Sequence, residues 1–170
     1  MSIRHIEAST SLGQVTIVAD GGAVTGLYFR HHIRKPAQES FGVRVDVRTD
    51  SLLFEAYRQL TDYLAGTRSS FDLPLVAAGN DFQRSVWALV AGIPRGSTTT
   101  YGRIAEQLGD RALAYPVGQA VGANPLCVFI PCHRVVGANG SLTGYAGGLR
   151  RKQALLELEE PAPAVAGRLF

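Results

Sequence analysis

Cysteine is nearly missing from this 170-residue chain, which holds two, Cys127 and Cys132, five positions apart. So small and close a pair does not build the disulfide framework of a secreted domain. The opening MSIRHIEAST carries no apolar leader, so a reducing cytoplasm is the expected setting. Long hydrophobic runs are missing as well: stretches such as LCVFI fall far short of the roughly 20 residues a membrane-spanning helix needs, and no membrane contact is expected. Excess charge is slight at +3, and it is confined to one half. Residues 1–79 hold 8 Lys+Arg against 8 Asp+Glu, residues 80–170 hold 9 against 6, so any polyanion-binding surface belongs to the second half. What the chain does have is apolar mass: 46% hydrophobic residues can bury a sizeable core, in one domain or two small ones.

The periodicity divides the chain near residue 78. Up to about residue 48, short β-favouring runs broken by glycine, as in GQVTIVADGGAVTGLYF, predict a hairpin sheet turning at Asp20-Gly21-Gly22. After HHIRK, expected to be a solvated loop, Leu53, Tyr57, Leu60 and Leu64 share one helical face that Gly66 ends. RSSFDLPLVAAGN reads as a connection with one short strand at most. Residues 1–78 are therefore expected to form an N-terminal sheet-and-helix domain and residues 79–170 a C-terminal helical domain, an α/β (α+β) protein.

In the second region Phe82, Val86, Leu89, Val90 and Ile93 form a helical stripe with Asn80 or Asp81 available as cap. TTTYGRIAEQLG predicts a short helix ending at Gly109. YPVGQAVGANP predicts another, with Pro116 in the first helical position and Pro125 forbidding continuation. Such a pair resembles a helix-turn-helix, a weak signal by itself. Its second helix is built on Gly118, Ala120, Gly122 and Ala123, small residues that allow close approach by a DNA groove or a neighbouring helix.

Chemistry concentrates in IPCHRVV, Ile130 to Val136. LCVFI before it reads as a buried strand, and Cys127 within it as a small buried hydrophobe. Cys132 differs, because Pro131 forces a turn and His133 and Arg134 put groups that favour a thiolate beside the sulfur. Adjacent strand residues point to opposite faces, so His133 can serve Cys132 if the backbone leaves the strand or a water relays the proton. A zinc site is a poor alternative, since the cysteines and His133 are awkwardly spaced and His5, His31 and His32 lie in the other region. A cysteine hydrolase or a non-catalytic lesion-binding module remain the alternatives from other classes.

FQRSVWALVAGIP, TTTYGRIA, VGANP and IPCHRVVGANGSLTGYAGGLRRKQALLELE, in that order and spacing, resemble the O6-alkylguanine-DNA alkyltransferases, also called methylated-DNA–protein-cysteine methyltransferases. The resemblance is close over residues 80–160 and fits the first region in outline. It implies a C-terminal domain with a helix-turn-helix and an active-site cysteine loop. The implied activity is DNA repair: O6-alkylguanine, or O4-alkylthymine, is flipped out of double-stranded DNA and its alkyl group moves irreversibly to Cys132, once per molecule. No cofactor or metal is implied. A monomer is expected, with cooperative binding along DNA left open.

The resemblance also assigns roles. Cys132 would accept the alkyl group, and His133 with Glu159 would draw off the thiol proton through a water. Tyr101 would donate to the departing guanine, and Asn124 would tie the recognition helix to the active-site segment. Tyr145, the Ala146 backbone and the Val135 carbonyl would line the base pocket. DNA would be held by Gly118, Gln119, Gly122 and Ala123 of the recognition helix and by Arg134. Independently of the resemblance, Arg150, Arg151 and Lys152 fall in the first turn of the final helix, where the dipole disfavours cations, and are read as phosphate anchors or as a solvated helix face. Where the family usually has an arginine that enters the base stack, in a segment like ARAVG, this chain reads AYPVG. Tyr115 therefore stands at the wedge position, expected in extended geometry ahead of Pro116, as a wedge or as a packing residue.

Overall fold

The computed structural model describes residues 2–160 of the chain, so the last ten residues of the expected second region lie outside the described residues. Strands β1 (Ile3–Thr10), β2 (Gly13–Asp20) and β3 (Ala23–Phe29) form an antiparallel meander, and the two-residue β4 (Val43–Arg44) joins β1 in parallel, giving the order β3-β2-β1-β4. The β2–β3 hairpin closes on Gly21-Gly22, where Gly21 takes a φ of 58°. Helix α1 (Ser51–Leu64) starts at Asp50, whose carboxylate accepts from the Leu53 amide and also pairs with Arg4 of β1 at 2.6 Å. It turns Leu53, Ala56, Leu60 and Tyr63 onto the sheet, and Tyr57 sits at the margin with its hydroxyl donating to the Ser9 carbonyl.

An irregular segment leads from α1 to α2 (Asp81–Ala91), touching the sheet once, where Val24 exchanges backbone hydrogen bonds with Pro74 and Val76. Of the two candidate caps for α2, Asn80 is the one used, in a capping box with Gln83. Helices α3 (Tyr101–Gln107) and α4 (Ala114–Gly122) form the expected helix pair, and Trp87 of α2 pins α4 by donating to the Ala120 carbonyl at 2.8 Å. α4 begins two residues earlier than expected. A 3-10 turn over Arg111–Leu113, capped by Asp110, feeds the chain straight into it, so Pro116 is its third residue and Tyr115 is helical rather than extended. Proline is tolerated there because the amides of the first turn lack intrahelical partners anyway.

LCVFI is buried but is not a strand. Leu126 bridges to Leu27 of β3, the chain reverses at Val128 and Phe129, and the Ile130 amide donates back to the Leu126 carbonyl at 2.8 Å. Val128 holds a φ of 73°, an unfavourable region for a β-branched residue. The short parallel strands β5 (Thr99–Thr100) and β6 (Val135–Val136) pair beyond it, and α5 (Leu149–Leu158) closes the described chain. A single hydrophobic cluster runs through both halves, from Ile6, Leu27 and Tyr63 to Trp87, Val117, Cys132 and Leu155.

Candidate functional site

Cys132 is placed by two tight turns. Asn124 closes the first: its side-chain amide donates to the Ile130 carbonyl at 3.0 Å and its side-chain oxygen accepts from the Leu126 amide at 2.9 Å. At the second, Pro131 (φ −80°, ψ 63°) sits in an inverse γ-turn closed by the Cys132 amide on the Ile130 carbonyl at 2.7 Å. The backbone then enters a 3-10 turn over Cys132–Arg134, so the departure from strand geometry that His133 needs does occur. The Cys132 thiol is only 3% exposed. Its pKa is lowered, first by a hydrogen bond with Cys127 and then, against the cost of burial, by the Asn124 amide and the Lys152 ammonium.

His133 is fully buried, and its Nε2 lies 3.0 Å from Glu159 Oε2. Glu159 stands at the C-terminal cap of α5, where a carboxylate opposes the helix dipole. Arg134 offsets that by gripping the carboxylate with Nε at 2.8 Å and Nη2 at 2.7 Å, while its Nη1 donates to the Ile93 carbonyl. The Tyr63 hydroxyl of α1 also donates to Glu159. Burial alone would raise the Glu159 pKa, but the hydrogen bonds from His133, Arg134 and Tyr63 hold it well below the usual carboxylate range. Burial keeps His133 below its ordinary value, opposed by Glu159. An ionised Glu159 takes the Nε2–H of a neutral imidazole and leaves the buried Nδ1, without a partner among the described residues, as the proton acceptor.

A cleft of ≈ 350 Å³ opens beside this centre, lined among others by Tyr101, Gly118, Gly122, Thr143, Tyr145 and Ala146. The Tyr101 hydroxyl is 3.0 Å from Thr143 Oγ1. Gly118 borders the Tyr101 ring: a Cβ there would meet it at 3.7 Å, so the small-residue helix turns a bare face to the cleft. Thus Tyr101, Gly118, Gly122, Tyr145 and Ala146 come together, while Gln119 of α4 and Ala123 at its C-terminal cap lie beside them.

Two expected DNA contacts, Arg134 and Lys152, are corrected. Arg134 is buried on Glu159. Lys152 is fully buried, its ammonium donating to the Val135 carbonyl at 2.7 Å and the Thr143 carbonyl at 2.8 Å, so it is spent inside and the Val135 carbonyl is already engaged. Burial lowers the Lys152 pKa to about 8, opposed by Cys132. Arg151 lies 4.6 Å above the Phe29 ring and donates to the Leu12 and Gly147 carbonyls. Of that basic run Arg150 is the exposed member, and Tyr115 at 77% exposure is free to meet a ligand.

Three residues escaped the sequence. Tyr63 lies nearly a hundred positions from the carboxylate it holds. Cys127 has polar company after all: its sulfur is 3.9 Å from Cys132 Sγ and 3.8 Å from His32 Nε2. His32 is buried, which corrects the solvated HHIRK loop; only the flanking His31, Ile33 and Arg34 are exposed. In the sequence, the helical i, i+3/i+4 series Leu53, Ala56, Leu60, Tyr63 is the available signal for Tyr63; nothing local marks the other two.

Residues 81–161 match the family model for the DNA-binding domain of 6-O-methylguanine DNA methyltransferase. The chain is 41% identical over 164 residues to a methylated-DNA–protein-cysteine methyltransferase of Mycobacterium tuberculosis, covering 95% of this chain and 96% of that protein. It is 42% identical over 144 residues to the inducible enzyme of that name from Bacillus subtilis, covering 81% and 80%. Among solved structures, the crystal structure of Mycobacterium tuberculosis OGT in complex with DNA superposes with a TM-score of 0.84 at 39% identity over 92% of each chain. Among the described residues no helix is long and apolar enough to cross a membrane, and no group of side chains is suited to hold a metal ion.

Proposed function

The chain belongs to the methylated-DNA–protein-cysteine methyltransferase family, and from that premise we propose that Cys132 takes the alkyl group of an O6-alkylguanine flipped out of double-stranded DNA. The observation that supports the assignment is the buried His133–Glu159 pair, with His133 directly after Cys132 in one 3-10 turn, in which one imidazole nitrogen is committed to the carboxylate and the other has no partner among the described residues. The thiol proton passes to His133 Nδ1, through one water as the family relay has it, and Glu159 stabilises the imidazolium that forms. The thiolate attacks the alkyl carbon; the C–S bond forms as the C–O bond breaks, and the electron pair stays with guanine. Tyr101, its hydroxyl in the cleft, donates as that negative charge develops.

A base inside a duplex is out of reach of a buried sulfur, so the nucleotide has to be extruded into the cleft. Tyr115, Arg150 and the bare face of α4 at Gly118 and Gly122 are the surface that does this, with Gln119 and Ala123 beside them. O4-alkylthymine is a second lesion of the same chemistry. The protein works as a monomer, and a reducing cytoplasm suits its two free thiols.

The test is intact-protein mass after incubation with excess alkylated duplex. One alkyl group per molecule, located on Cys132 and stable with time, is expected, because a thioether is a poor leaving group. Repeated turnover, as a cysteine hydrolase would show, or binding without any adduct, as a lesion-binding module would show, overturns it.

A further inference from the structure

We propose that Cys127 and His32 are positioning residues for the transfer reaction, a donor chain from His32 Nε2–H to Cys127 Sγ–H to Cys132 Sγ that hands a hydrogen bond to the nucleophile from the N-terminal half of the molecule. The inference rests on Cys132 being the acceptor. It concerns a second polar contact to that sulfur, separate from His133 and Glu159.

The direction of each bond follows from where the protons can be. The Phe29 amide donates to His32 Nδ1 at 3.2 Å, so that nitrogen is an acceptor and the ring proton sits on Nε2. Burial, with Lys35 and Arg151 nearby, lowers the His32 pKa to about 4, and the ring stays neutral and in that tautomer near pH 7. Its Nε2–H is 3.8 Å from Cys127 Sγ. The pKa of Cys127 is raised well above that of a free thiol by its hydrogen bond with Cys132 and by burial, so Cys127 keeps its proton. A sulfur that already accepts from His32 has that one proton to give, and Cys132 Sγ lies 3.9 Å away. A thiol is a weak donor, yet an anion is a strong acceptor, and both sulfurs are out of water.

The fold holds this chain deliberately tight. The positive-φ turn at Val128 folds Cys127 back toward Cys132. The His32 amide donates to the Phe29 carbonyl at 3.2 Å, the Ile33 amide to the Ala146 carbonyl at 2.8 Å, and Arg34 to both the Gln119 carbonyl and its side chain. Three successive residues thus close the loop on the end of β3 and fasten it to the cleft wall and to α4. The titratable and charged groups around the two sulfurs are Tyr145, Lys152, Tyr28 and His32, with His133 next to Cys132 in the chain, and around His32 they are Tyr28, Lys35 and Arg151.

Single-turnover transfer from free O6-benzylguanine, followed by intact mass from about pH 5.5 to 9.5, tests the chain in the wild type and in Cys127→Ala, Cys127→Ser, His32→Gln and His32→Phe. Cys127→Ala is expected to react about three- to tenfold more slowly at pH 7, the effect of one weak charge-assisted hydrogen bond, with its pH profile moved upward so that the rates converge in alkali. Cys127→Ser and His32→Gln keep a donor and are expected to keep the wild-type profile; His32→Phe moves it in the same direction as Cys127→Ala. If the wild type gains no adduct on Cys132, it is the acceptor assignment that fails. If the wild type reacts and Cys127→Ala shows the wild-type profile, or Cys127→Ser shifts as far as Cys127→Ala, the donor chain is wrong. Should Cys127→Ala not fold, His32→Gln and His32→Phe decide, since packing alone predicts the same profile for both.

Discussion

His133 does two incompatible things well because its two nitrogens are separated by the fold. Nε2 is held by a carboxylate that Arg134 keeps ionised, and the buried Nδ1, without a partner among the described residues, is left to accept a proton. Removing the ring should therefore slow transfer at pH 7 by roughly two to four orders of magnitude, the usual range for acid–base assistance. In His133→Ala, measured by single-turnover kinetics with the free base, a rate equal to wild type would remove the relay. Cys132 and His133 were legible in IPCHRVV because proline, thiol and imidazole are adjacent there. Lys152 and Arg134 were misjudged for a physical reason: sequence shows a charge but not the carbonyls or carboxylate that receive it. Both look like phosphate anchors until Val135, Thr143 and Glu159 are seen around them.

At the scale of the element, the helices were legible because caps and stripes are local, as in the Asn80–Gln83 box of α2 and the glycine at 109. The strand expected over LCVFI was not, because its reversal depends on Asn124 bonding across the turn, a contact that no period in the sequence encodes. The start of α4 was displaced for a similar reason, the preceding 3-10 turn supplying a helical lead-in ahead of Pro116. That shift puts Tyr115 on the first turn of α4, unburied and without packing to lose. Stacking of its ring on a base neighbouring the extruded nucleotide is worth about 1–3 kcal/mol. Tyr115→Ala is accordingly expected to slow repair of a duplex lesion by about 5- to 150-fold and to leave reaction with O6-benzylguanine unchanged, since the free base needs no extrusion. Equal slowing of both substrates would make Tyr115 a packing residue.

The molecule as a whole joins its halves at the reactive centre. β3 bridges to the nucleophile turn at Leu27 and Leu126, Arg151 of α5 rests on Phe29, and the hydroxyl of Tyr63 reaches from α1 to Glu159. The last contact tests whether residues 1–78 act on the chemistry or only lend stability. Tyr63 is 1% exposed and its ring lies in the shared core, so Tyr63→Phe keeps the packing and deletes one donor. Its own pKa is pushed up by burial and by Glu159, so at pH 7 it is a hydroxyl with a proton to give. Losing it leaves a buried carboxylate one hydrogen bond short, expected to cost about 1–3 kcal/mol of stability in denaturant titration. It also withdraws one of the bonds that lower the Glu159 pKa, so that carboxylate protonates at a higher pH and ceases to orient His133 sooner on acidification. The sign is fixed: the transfer rate of Tyr63→Phe should match wild type above neutrality and fall away earlier as pH is lowered. A mutant that loses stability but keeps the wild-type acid limb would confine Tyr63, and the N-terminal half with it, to a structural part.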